Sequence, residues 1–370
     1  MSTKVWFVLN VRFPTEKAYG VTTENTALAI NKMSGFQACV VTPKKDEALE
    51  CAIETIQITF PFRNIYERIS QKNSNTSKVA FILWKSLYGL RLGKQIPKSG
   101  SILWLRDIHL ALTLNLMGFQ TICEVHRRPS FLFWWQLRWL NHRANSTMVY
   151  ITEELRIALR GEKSKSVVAG MAVSANTLLR ETKERPKHNF IIGYLGQPHS
   201  SGHKLSLDPV LQAAKLSLIR KLGITFHIIG ITESELNTMD KLNVSPNCHF
   251  FGRMTGDAKI EAMDKFDAGL VIYPDTQYYR DSFPIKIVEY AARRIPILAS
   301  DTVAHRGVMG NDKCLFFDLS SPESLLQNIM VLTVESNEIQ QMVEKAYAWS
   351  EDLTYEKRAR KIMKAVDRKI

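Results

Sequence analysis

Short apolar runs recur along the whole chain, separated by longer segments in which apolar and polar positions mix. The runs predict β-strands, and the intervening segments are long enough for α-helices. In the first half the predicted strands are 5–9, 38–42, 102–105, 121–125 and 148–151, and the predicted helices are 23–33 and 110–117. Strands that alternate with helices in this way are typical of a parallel sheet with crossover helices.

The same alternation begins again in the second half. The predicted strands are 190–195, 226–229, 248–251, 269–273 and 296–299, and the predicted helices are 209–222, 257–264, 285–293 and 321–332. A polar stretch that contains Pro186, residues 181–189, separates the halves and is typical of an interdomain linker. We therefore predict an α/β protein of two domains, each of which binds ligands at the carboxyl ends of its strands.

Composition limits the class of protein and charge points to a kind of partner. The 370 residues are 45% apolar and 23% charged, which argues against disorder, collagen-like repeats and a multi-span membrane protein. The net charge is +13 and is unevenly distributed, because residues 1–185 hold 26 basic and 14 acidic residues whereas 186–370 hold 23 and 22. The first half is thus expected to meet an anionic partner: phosphate, nucleic acid or an acidic membrane surface.

The cysteines and the apolar runs bear on the compartment. Five cysteines without a C-x-x-C spacing predict buried free thiols in a reducing compartment. Lys4 and Arg12 interrupt the opening apolar stretch, so we expect no signal peptide. No uncharged apolar run reaches the roughly 18–20 residues of a transmembrane helix. We expect a cytoplasmic protein and leave open a peripheral position at the inner face of the membrane.

Several familiar ligand motifs do not occur in the sequence. It contains no G-x-G-x-x-G after the first strand, no P-loop, no H-E-x-x-H and no paired C-x-x-C. It also contains no D-x-D, the close carboxylate pair that typically holds a Mg²⁺ on a diphosphate. We therefore expect no cofactor and no required metal. A bound diphosphate would depend on helix N-termini and on lysine or arginine.

The most informative segment is 281–301, DSFPIKIVEYAARRIPILASD. Pro284 suits the first turn of a helix, where its missing N–H costs little, and Ser282 can cap that helix. The free N–H groups of the first turn and the charge of Lys286 together predict an anion site. Asp281 precedes the helix, and Glu289 follows it by eight residues.

This segment resembles the E-x7-E region of retaining glycosyltransferases of the family 4 type, the glycosyl transferases group 1. The resemblance implies that Glu289 binds the ribose hydroxyls of a nucleotide, that Asp281 contacts the donor sugar, and that the intervening residues contact sugar and phosphate. These donor-binding residues are Ser282, Phe283, Pro284 and Lys286. Asp281 replaces the usual glutamate, and Arg293 with Arg294 replaces the usual small residue and glycine.

Two segments of the first half are similar to the same family. The opening RFPTEKAYGVTTE has Gly20 where family members carry a glycine loop leading into the first helix, and this implies that Gly20 approaches the donor phosphate; an ordinary turn remains the alternative. Glu124-Val-His126 resembles an E-x-H that places its histidine against the donor sugar, so the resemblance implies a catalytic role for His126. The alternative is a histidine without such a role. Arg106-Asp107 could contact the acceptor or form a structural pair.

Two more segments of the second half complete the resemblance. In YLGQPHSSGHK, residues 194–204, Gln197 stands where the family usually has an arginine, and Lys204 is the remaining candidate cation for the diphosphate. Phe251-Gly252-Arg253 resembles a turn near the nucleotide base, which implies donor binding by Arg253, with a solvated arginine as the alternative.

The family has the GT-B fold, in which two Rossmann-like domains face each other across a cleft and a C-terminal helix crosses back to the first. The resemblance implies an acceptor-side domain at 1–185, joined by a helix at 350–370, and a nucleotide-sugar-binding domain at 186–349. It implies a retaining glycosyltransferase that moves a sugar from a nucleotide sugar to a glycan or lipid-linked acceptor, in envelope polysaccharide or glycolipid biosynthesis. The alternatives are a non-catalytic partner subunit and a sugar-nucleotide epimerase.

Two segments of the first half combine basic and aromatic residues. They are 63–98 and 127–143, the second reading RRPSFLFWWQLRWLNHR. This combination suits contact with an anionic bilayer surface, and a buried aromatic helix beside a solvated basic face is the alternative. Because no nucleic-acid-binding module is recognisable, no nucleic acid partner is expected.

Overall fold

The structure is a computed structural model that describes most of the chain. The described residues are 2–15, 18–45, 50–58, 75–179, 190–196, 199–200, 203–204, 207–232, 235, 244–334 and 336–367. They form two compact units, Met1–Gly170 with Tyr355–Ile370, and Met171–Thr354. The predicted boundary at 185/186 lies outside the described residues.

The first unit contains a seven-stranded parallel sheet. Its strands are β1 (Thr3–Val8), β2 (Phe36–Thr42), β3 (Thr55–Gln57), β4 (Ser101–Leu105), β5 (Gln120–Val125), β6 (Ser146–Tyr150) and β7 (Ser166–Val168). They follow the order β3-β2-β1-β4-β5-β6-β7, and every pair is parallel. All five residues of β4 and all five of β6 are buried, as expected for a parallel sheet covered on both faces.

The helices of this unit connect the strands, and the last one comes from the end of the chain. They are α1 (Ala18–Asn31), α2 (Asn75–Gln95), α3 (Ile108–Leu116), α4 (Phe131–His142), α5 (Glu153–Ala158) and, after the second unit, α13 (Tyr355–Asp367). Helix α13 packs against α1 and β7, and it buries Ile362, Met363 and Val366. Packing of this apolar face attaches helix α13 to the first unit.

The second unit contains a six-stranded parallel sheet in the order β12-β11-β8-β13-β14-β15. Its strands are β8 (Ile191–Leu195), β11 (Thr225–Ile229), β12 (Cys248–Phe251), β13 (Ala268–Val271), β14 (Ile297–Ser300) and β15 (Leu315–Phe317). A separate antiparallel pair is formed by β9 (His199–Ser200) and β10 (His203–Lys204).

The helices of the second unit are α6 (Asp208–Lys215), α7 (Ser217–Lys221), α8 (Gly256–Met263), α9 (Ile285–Ala292), α10 (Val303–Met309), α11 (Pro322–Thr333) and α12 (Asn337–Glu351). Apolar clusters cover both faces of the sheet. One is built around Phe226 and Leu270, and the other around Tyr290 and Val271. This layering places the loops after β8, β11, β12 and β13 at one edge, where ligands of such sheets bind.

The predicted α/β class and the two parallel sheets are confirmed. One predicted helix, 209–222, is broken at Leu216, whose extended backbone separates α6 from α7. The predictions omitted the three-residue strands β3, β7 and β15, which are too short to give a clear pattern. None of the described helices is long and apolar enough to cross a bilayer.

All five cysteines are free thiols, as predicted, and four are buried. Cys51 is only partly buried, which corrects the expectation of complete burial. Burial raises the pKa of Cys314 to about 12 and that of Cys248 to about 11, so these thiols stay protonated and unreactive at neutral pH.

Candidate functional site

Two glycines bring backbone segments close together at the carboxyl edge of the second sheet. Gly196 follows β8 with φ +151°, and Gly230 follows the neighbouring β11 with φ +109°. The Gly196 amide donates to the carbonyl of Ile229 at 2.9 Å. A Cβ on Gly230 would stand 2.7 Å from the carbonyl oxygen of Gly196. Only glycine fits there, and the two strand ends form a tight backbone surface.

Lys286, the second residue of α9, lies beside this surface. Its Nζ is 4.3 Å from the centre of the Tyr194 ring and 5.7 Å from that of Tyr273. A Cβ on Gly196 would lie 2.8 Å from the same Nζ. Burial lowers the pKa of Lys286 to about 8, and the nearby carboxylate of Glu289 opposes the shift. No group in the described part of the chain forms an ion pair with this ammonium, so it is poised to neutralise an anion.

Two further buried polar atoms lie near Lys286 and have no hydrogen-bond partner among the described residues. They are the hydroxyl of Tyr194 and Nε2 of His305. Burial lowers the pKa of His305 to about 4, with the Ser300 carbonyl opposing and Lys286 adding to the shift. His305 is therefore neutral at pH 7. Because Nδ1 lies 2.7 Å from the Ser300 carbonyl oxygen and must donate to it, Nε2 is left as an acceptor. Sequence reasoning did not identify His305.

Glu289 lies one turn beyond Lys286 on α9 and is held by a partner that sequence reasoning missed. Nζ of Lys259, on α8, donates to Oε1 of Glu289 at 2.6 Å. The Glu289 side chain is mostly buried, and that of Lys259 is partly exposed. This ion pair fixes the orientation of the carboxylate at the edge of the sheet. The two residues are 30 positions apart, so no local spacing could have linked them.

The positions of the residues before α9 differ in part from those predicted. The Ser282 hydroxyl donates to the Tyr279 carbonyl at 2.6 Å and does not cap the helix. Pro284 occupies the N-cap position, without a side-chain cap, and the helix begins at Ile285. The Phe283 ring stacks on Trp349 with centroids 6.2 Å apart, so its side chain serves packing. Asp281 is buried.

The two arginines after α9 have structural roles. The guanidinium of Arg293 is buried and donates to Asp264, with Nε 2.7 Å from Oδ1, and to the Thr177 carbonyl at 3.2 Å. Arg294 has φ +54°, the conformation that a glycine would adopt easily. Its side chain pairs with Glu344 and lies over the Tyr347 ring. The turn that is usually built from a small residue and glycine is thus held here by side-chain contacts.

The remaining predicted donor-binding residues of this unit are Arg253 and Lys204. Arg253 is exposed in the loop that follows β12. Lys204 lies on β10, but its side chain, like the whole of Gln197, falls outside the described part of the chain.

His126 and Gly20 belong to the first unit. Nε2 of His126 lies 2.5 Å from Oε1 of Glu124, the residue two positions earlier at the end of β5. In the neutral ring Nε2 then carries the proton, which leaves Nδ1 as the acceptor. Burial and the positive Arg106 lower the pKa of His126, and Glu124 opposes this. The predicted E-x-H is therefore one hydrogen-bonded pair.

Glu124 is the centre of a buried network. It is 2% exposed and accepts from Nη2 of Arg358 at 2.8 Å and from Nε1 of Trp104 at 2.9 Å. Nη2 of Arg106 lies 3.4 Å away. Burial alone would raise the pKa of Glu124, but Arg358, Arg106 and His126 together hold it well below the ordinary value. Helix α13 thus supplies the cation that keeps the E-x-H carboxylate ionised.

In the first unit the structure differs from the expected position of Gly20 and from one of the two alternatives for Arg106 and Asp107. Gly20 lies inside the first turn of α1, which begins at Ala18, and not in a loop before the helix. A Cβ there would be 2.5 Å from the Thr15 carbonyl oxygen, so the glycine serves close packing. Arg106 and Asp107 do not form a pair. Asp107 caps α3 through the Leu110 amide and pairs with Lys85 at 2.5 Å.

Comparison with known families gives an independent result for the second unit. Residues 177–349 match the family described as glycosyl transferases group 1. The chain carries a glycosyl transferases group 1 domain. The predicted resemblance to glycosyl transferases group 1 is confirmed over these residues, and the protein is a glycosyltransferase. The match includes every predicted donor-binding residue of the second unit, from Lys204 to Glu289.

Solved structures show the same fold over the whole chain. A glycosyltransferase from Rickettsia africae ESF-5 has a TM-score of 0.71 at 13% identity, covering 100% of this chain and 98% of that one. The E. coli structure described as trehalose-6-phosphate bound with UDP-2-fluoro glucose gives 0.71 at 10% identity, with 98% of each chain covered. WaaG, a glycosyltransferase involved in lipopolysaccharide biosynthesis, gives 0.64 at 15%, covering 97% and 99%. The predicted GT-B fold is confirmed. No curated protein sequence matches the chain.

Proposed function

We propose that this glycosyltransferase transfers a sugar from a nucleoside diphosphate donor, with retention of configuration, to a glycan or lipid-linked acceptor. The observation that carries the proposal is Lys286, a buried ammonium at the ligand edge of the sheet with no carboxylate partner among the described residues. Such a charge is costly unless a ligand neutralises it. The start of α9, which has no side-chain cap, adds the positive end of a helix dipole.

The diphosphate and the ribose of a donor would bind different groups of this site. The diphosphate would lie against Lys286, the start of α9 and the backbone at Gly196. The ribose would lie one turn further along α9, where Glu289 is fixed by Lys259 and can accept from two hydroxyls. The solved E. coli structure bound with UDP-2-fluoro glucose supports a nucleotide sugar as the donor class.

Transfer breaks the bond between the anomeric carbon and the leaving diphosphate oxygen, and it forms a bond between that carbon and an acceptor oxygen. The acceptor proton passes to the leaving phosphate. Lys286 and the helix dipole would stabilise the negative charge that builds on the diphosphate. His126 and Asp281 would position the sugar. We propose that these fixed positive groups replace a metal, so chelation with EDTA should leave the rate unchanged.

The acceptor and the cellular setting are also part of the proposal. We place the reaction in envelope polysaccharide or glycolipid biosynthesis, on the cytoplasmic side of the membrane. The resemblance of fold to WaaG, which is involved in lipopolysaccharide biosynthesis, supports an acceptor of this class. The basic, aromatic composition of residues 63–98 and 127–143 supports a peripheral position at the inner face.

The donor proposal is tested by thermal shift with UDP, GDP, ADP, CMP and their common sugar conjugates. One nucleoside diphosphate should raise the apparent stability selectively, by mass action. Glu289→Ala removes charged hydrogen bonds worth about 1.5–3 kcal/mol and should weaken that nucleotide about 10- to 100-fold. Asp281→Ala should lower the transfer rate more than nucleotide affinity. If both variants bind and turn over like the parent, the site is assigned wrongly.

Retention is tested on the product. With a donor of α configuration, the anomeric proton of the new linkage should show α coupling in its NMR spectrum. A β product would refute the retaining mechanism while leaving the donor site intact. Nucleotide binding without transfer to any lipid-linked or glycan acceptor would instead favour the non-catalytic partner subunit.

A further inference from the structure

Helices α2 and α4 of the first unit each carry a stripe of apolar side chains that is open to solvent. We infer that these stripes form a docking surface for an anionic lipid bilayer. The surface, called here the α2–α4 face, consists of Val79, Leu83, Leu87, Leu90, Phe131, Trp135 and Trp139. The inference rests on the peripheral position proposed above. None of these residues belongs to the proposed donor site, so binding can be measured without sugar transfer.

On α2 the exposed side chains fall on one side of the helix. Val79, Leu83, Leu87 and Leu90 are spaced four, four and three residues apart and are 45% to 61% exposed. The opposite side of the same helix is buried at Trp84, Tyr88 and Leu92. Burial of that side leaves the leucine stripe as a second apolar face that the described part of the fold does not cover.

On α4 the exposed side chains are aromatic. Phe131, Trp135 and Trp139 follow a spacing of four and are 45% to 85% exposed, and the two tryptophan rings lie 6.4 Å apart. Tryptophan with its amphipathic ring is the residue type preferred at the level of lipid headgroups. An exposed aromatic stripe of this kind fits a bilayer interface.

The two helices are joined on their inner sides through α3. Ser86 of α2 lies 2.7 Å from Nε2 of His109, and Nδ1 of His109 lies 3.3 Å from Gln136 of α4. Lys85 of α2 lies 4.4 Å from the Phe81 ring centre and 5.6 Å from that of Phe133 on α4. These contacts hold the helices in one layer, so both stripes move as part of one rigid surface.

The charge around the apolar stripes is mostly positive. Residues 75–152 contain ten basic and only two acidic side chains, a net of +8. Both acids are occupied inside the unit, since Asp107 pairs with Lys85 and Glu124 pairs with Arg358. Just beyond this stretch, Glu162 lies 3.3 Å from His142 of α4 and pairs with Lys165, so its charge is also compensated. Lys94 and Arg127 are exposed.

The apolar stripes together with the positive charge favour one kind of binding partner. A second copy of the same face would bring like charges together, and a nucleic acid would make no use of exposed leucine and valine. An anionic bilayer satisfies both features, because headgroups attract the cations and the acyl boundary accepts the apolar stripe. None of the described helices is long and apolar enough to span the bilayer, so the contact would be peripheral.

The test is sedimentation of the full chain with vesicles of phosphatidylcholine containing 30% phosphatidylglycerol, and with phosphatidylcholine alone. We expect binding to the anionic vesicles that falls as salt rises and weak binding to the neutral ones. The double substitution Leu83→Gln/Leu87→Gln should weaken binding more than tenfold, and Lys94→Gln should weaken it about fivefold. The matched control is Val331→Gln, an equally exposed apolar position on α11 of the other unit, which should bind like the parent.

A second readout distinguishes docking from loss of the fold. Brominated lipid should quench the fluorescence of the bound protein, and Trp135→Phe/Trp139→Phe should remove most of that quenching while sedimentation persists. The inference is refuted by absence of binding to anionic vesicles at low salt, or by unchanged binding of the leucine variant. It is also refuted if an oligonucleotide displaces the vesicles, or if these side chains instead support a dimer in the absence of lipid. None of these outcomes affects the donor-site proposal.

Discussion

Substitution of Arg358 by methionine tests the buried network of the first unit most directly. Arg358 is 3% exposed, and its guanidinium lies 2.8 Å from the carboxylate of Glu124, which is 2% exposed. Its Nε also donates to the Gly170 carbonyl at 2.7 Å. Arg358→Met keeps the helix propensity and the apolar stem of the side chain but leaves the buried carboxylate without its closest cation.

The expected loss follows from these contacts. Removal of one partner of a buried ion pair typically costs about 3–5 kcal/mol, because a buried charge is left uncompensated. Glu124 keeps its bonds from Trp104 and His126 and the more distant Arg106, which places the cost near the lower end, about 3 kcal/mol. With a urea m-value of about 2 kcal/mol/M, the unfolding midpoint should fall by about 1.5 M.

Tryptophan fluorescence is a suitable probe of this change. Of the seven tryptophans, only Trp349 belongs to the second unit, so the signal reports mainly on the first. The matched control is Arg360→Met on the exposed side of the same helix, which should change the free energy of unfolding by less than about 0.5 kcal/mol. Equal midpoints for the two variants would refute the reasoning.

The same network makes the effect of Arg358→Met depend on pH. The folded-state pKa of Glu124 is held well below its ordinary value, so the ionised carboxylate stabilises the fold above that value. This contribution is lost as pH falls through the folded-state pKa. The difference between parent and variant should therefore be full at pH 7 and shrink as pH falls below about 4.5. A difference that stays constant down to pH 4 would contradict the assignment to Glu124.

Two more predictions concern the second unit. The pKa of Lys286 is about 8 in the free protein, and a bound diphosphate favours the protonated form, so nucleotide affinity should fall about tenfold between pH 7 and 9. Calorimetry should show this fall in the parent and in the control Lys265→Met, at an exposed position. The fall should be absent in Lys286→Met. Gly230→Ala forces a Cβ at positive φ to within 2.7 Å of a carbonyl oxygen, so it should destabilise the second unit by about 2 kcal/mol or more in thermal unfolding. Gly252→Ala, with no atom within 4 Å of the added Cβ, should unfold like the parent.

The parts of the site that could be predicted from sequence are those encoded within one segment. Residues 281–301 contain Lys286 and Glu289 on one helix, and the helical spacing alone places them near each other and near the sheet edge. The Ser282 cap was wrong because a serine hydroxyl can also donate to a nearby carbonyl, here that of Tyr279, and that bond removes it from the helix end.

The parts that could not be predicted depend on contacts between distant positions. Lys259 and Glu289 are 30 residues apart, and Arg358 and Glu124 are 234 apart. Nothing in the local pattern distinguishes Arg358 from the exposed cations around it on α13, because its burial depends on how that helix packs. Gly20 illustrates the same limit, since the close approach of the Thr15 carbonyl that requires a glycine there does not show in the local pattern.

The charged network around Glu124 and the one around Lys286 differ in whether a charge is left without a partner, and this difference supports different roles for them. In the first unit the carboxylate of Glu124 is surrounded by Arg358, Arg106 and His126, so its charge is already neutralised and its function is to fix the histidine. In the second unit Glu289, the carboxylate among the described residues that acts on Lys286, is itself bound to Lys259. A positive charge is thus left uncompensated at the edge of the second sheet among the described residues. This charge supports the proposal that an anionic donor group binds beside Lys286 and not beside Glu124.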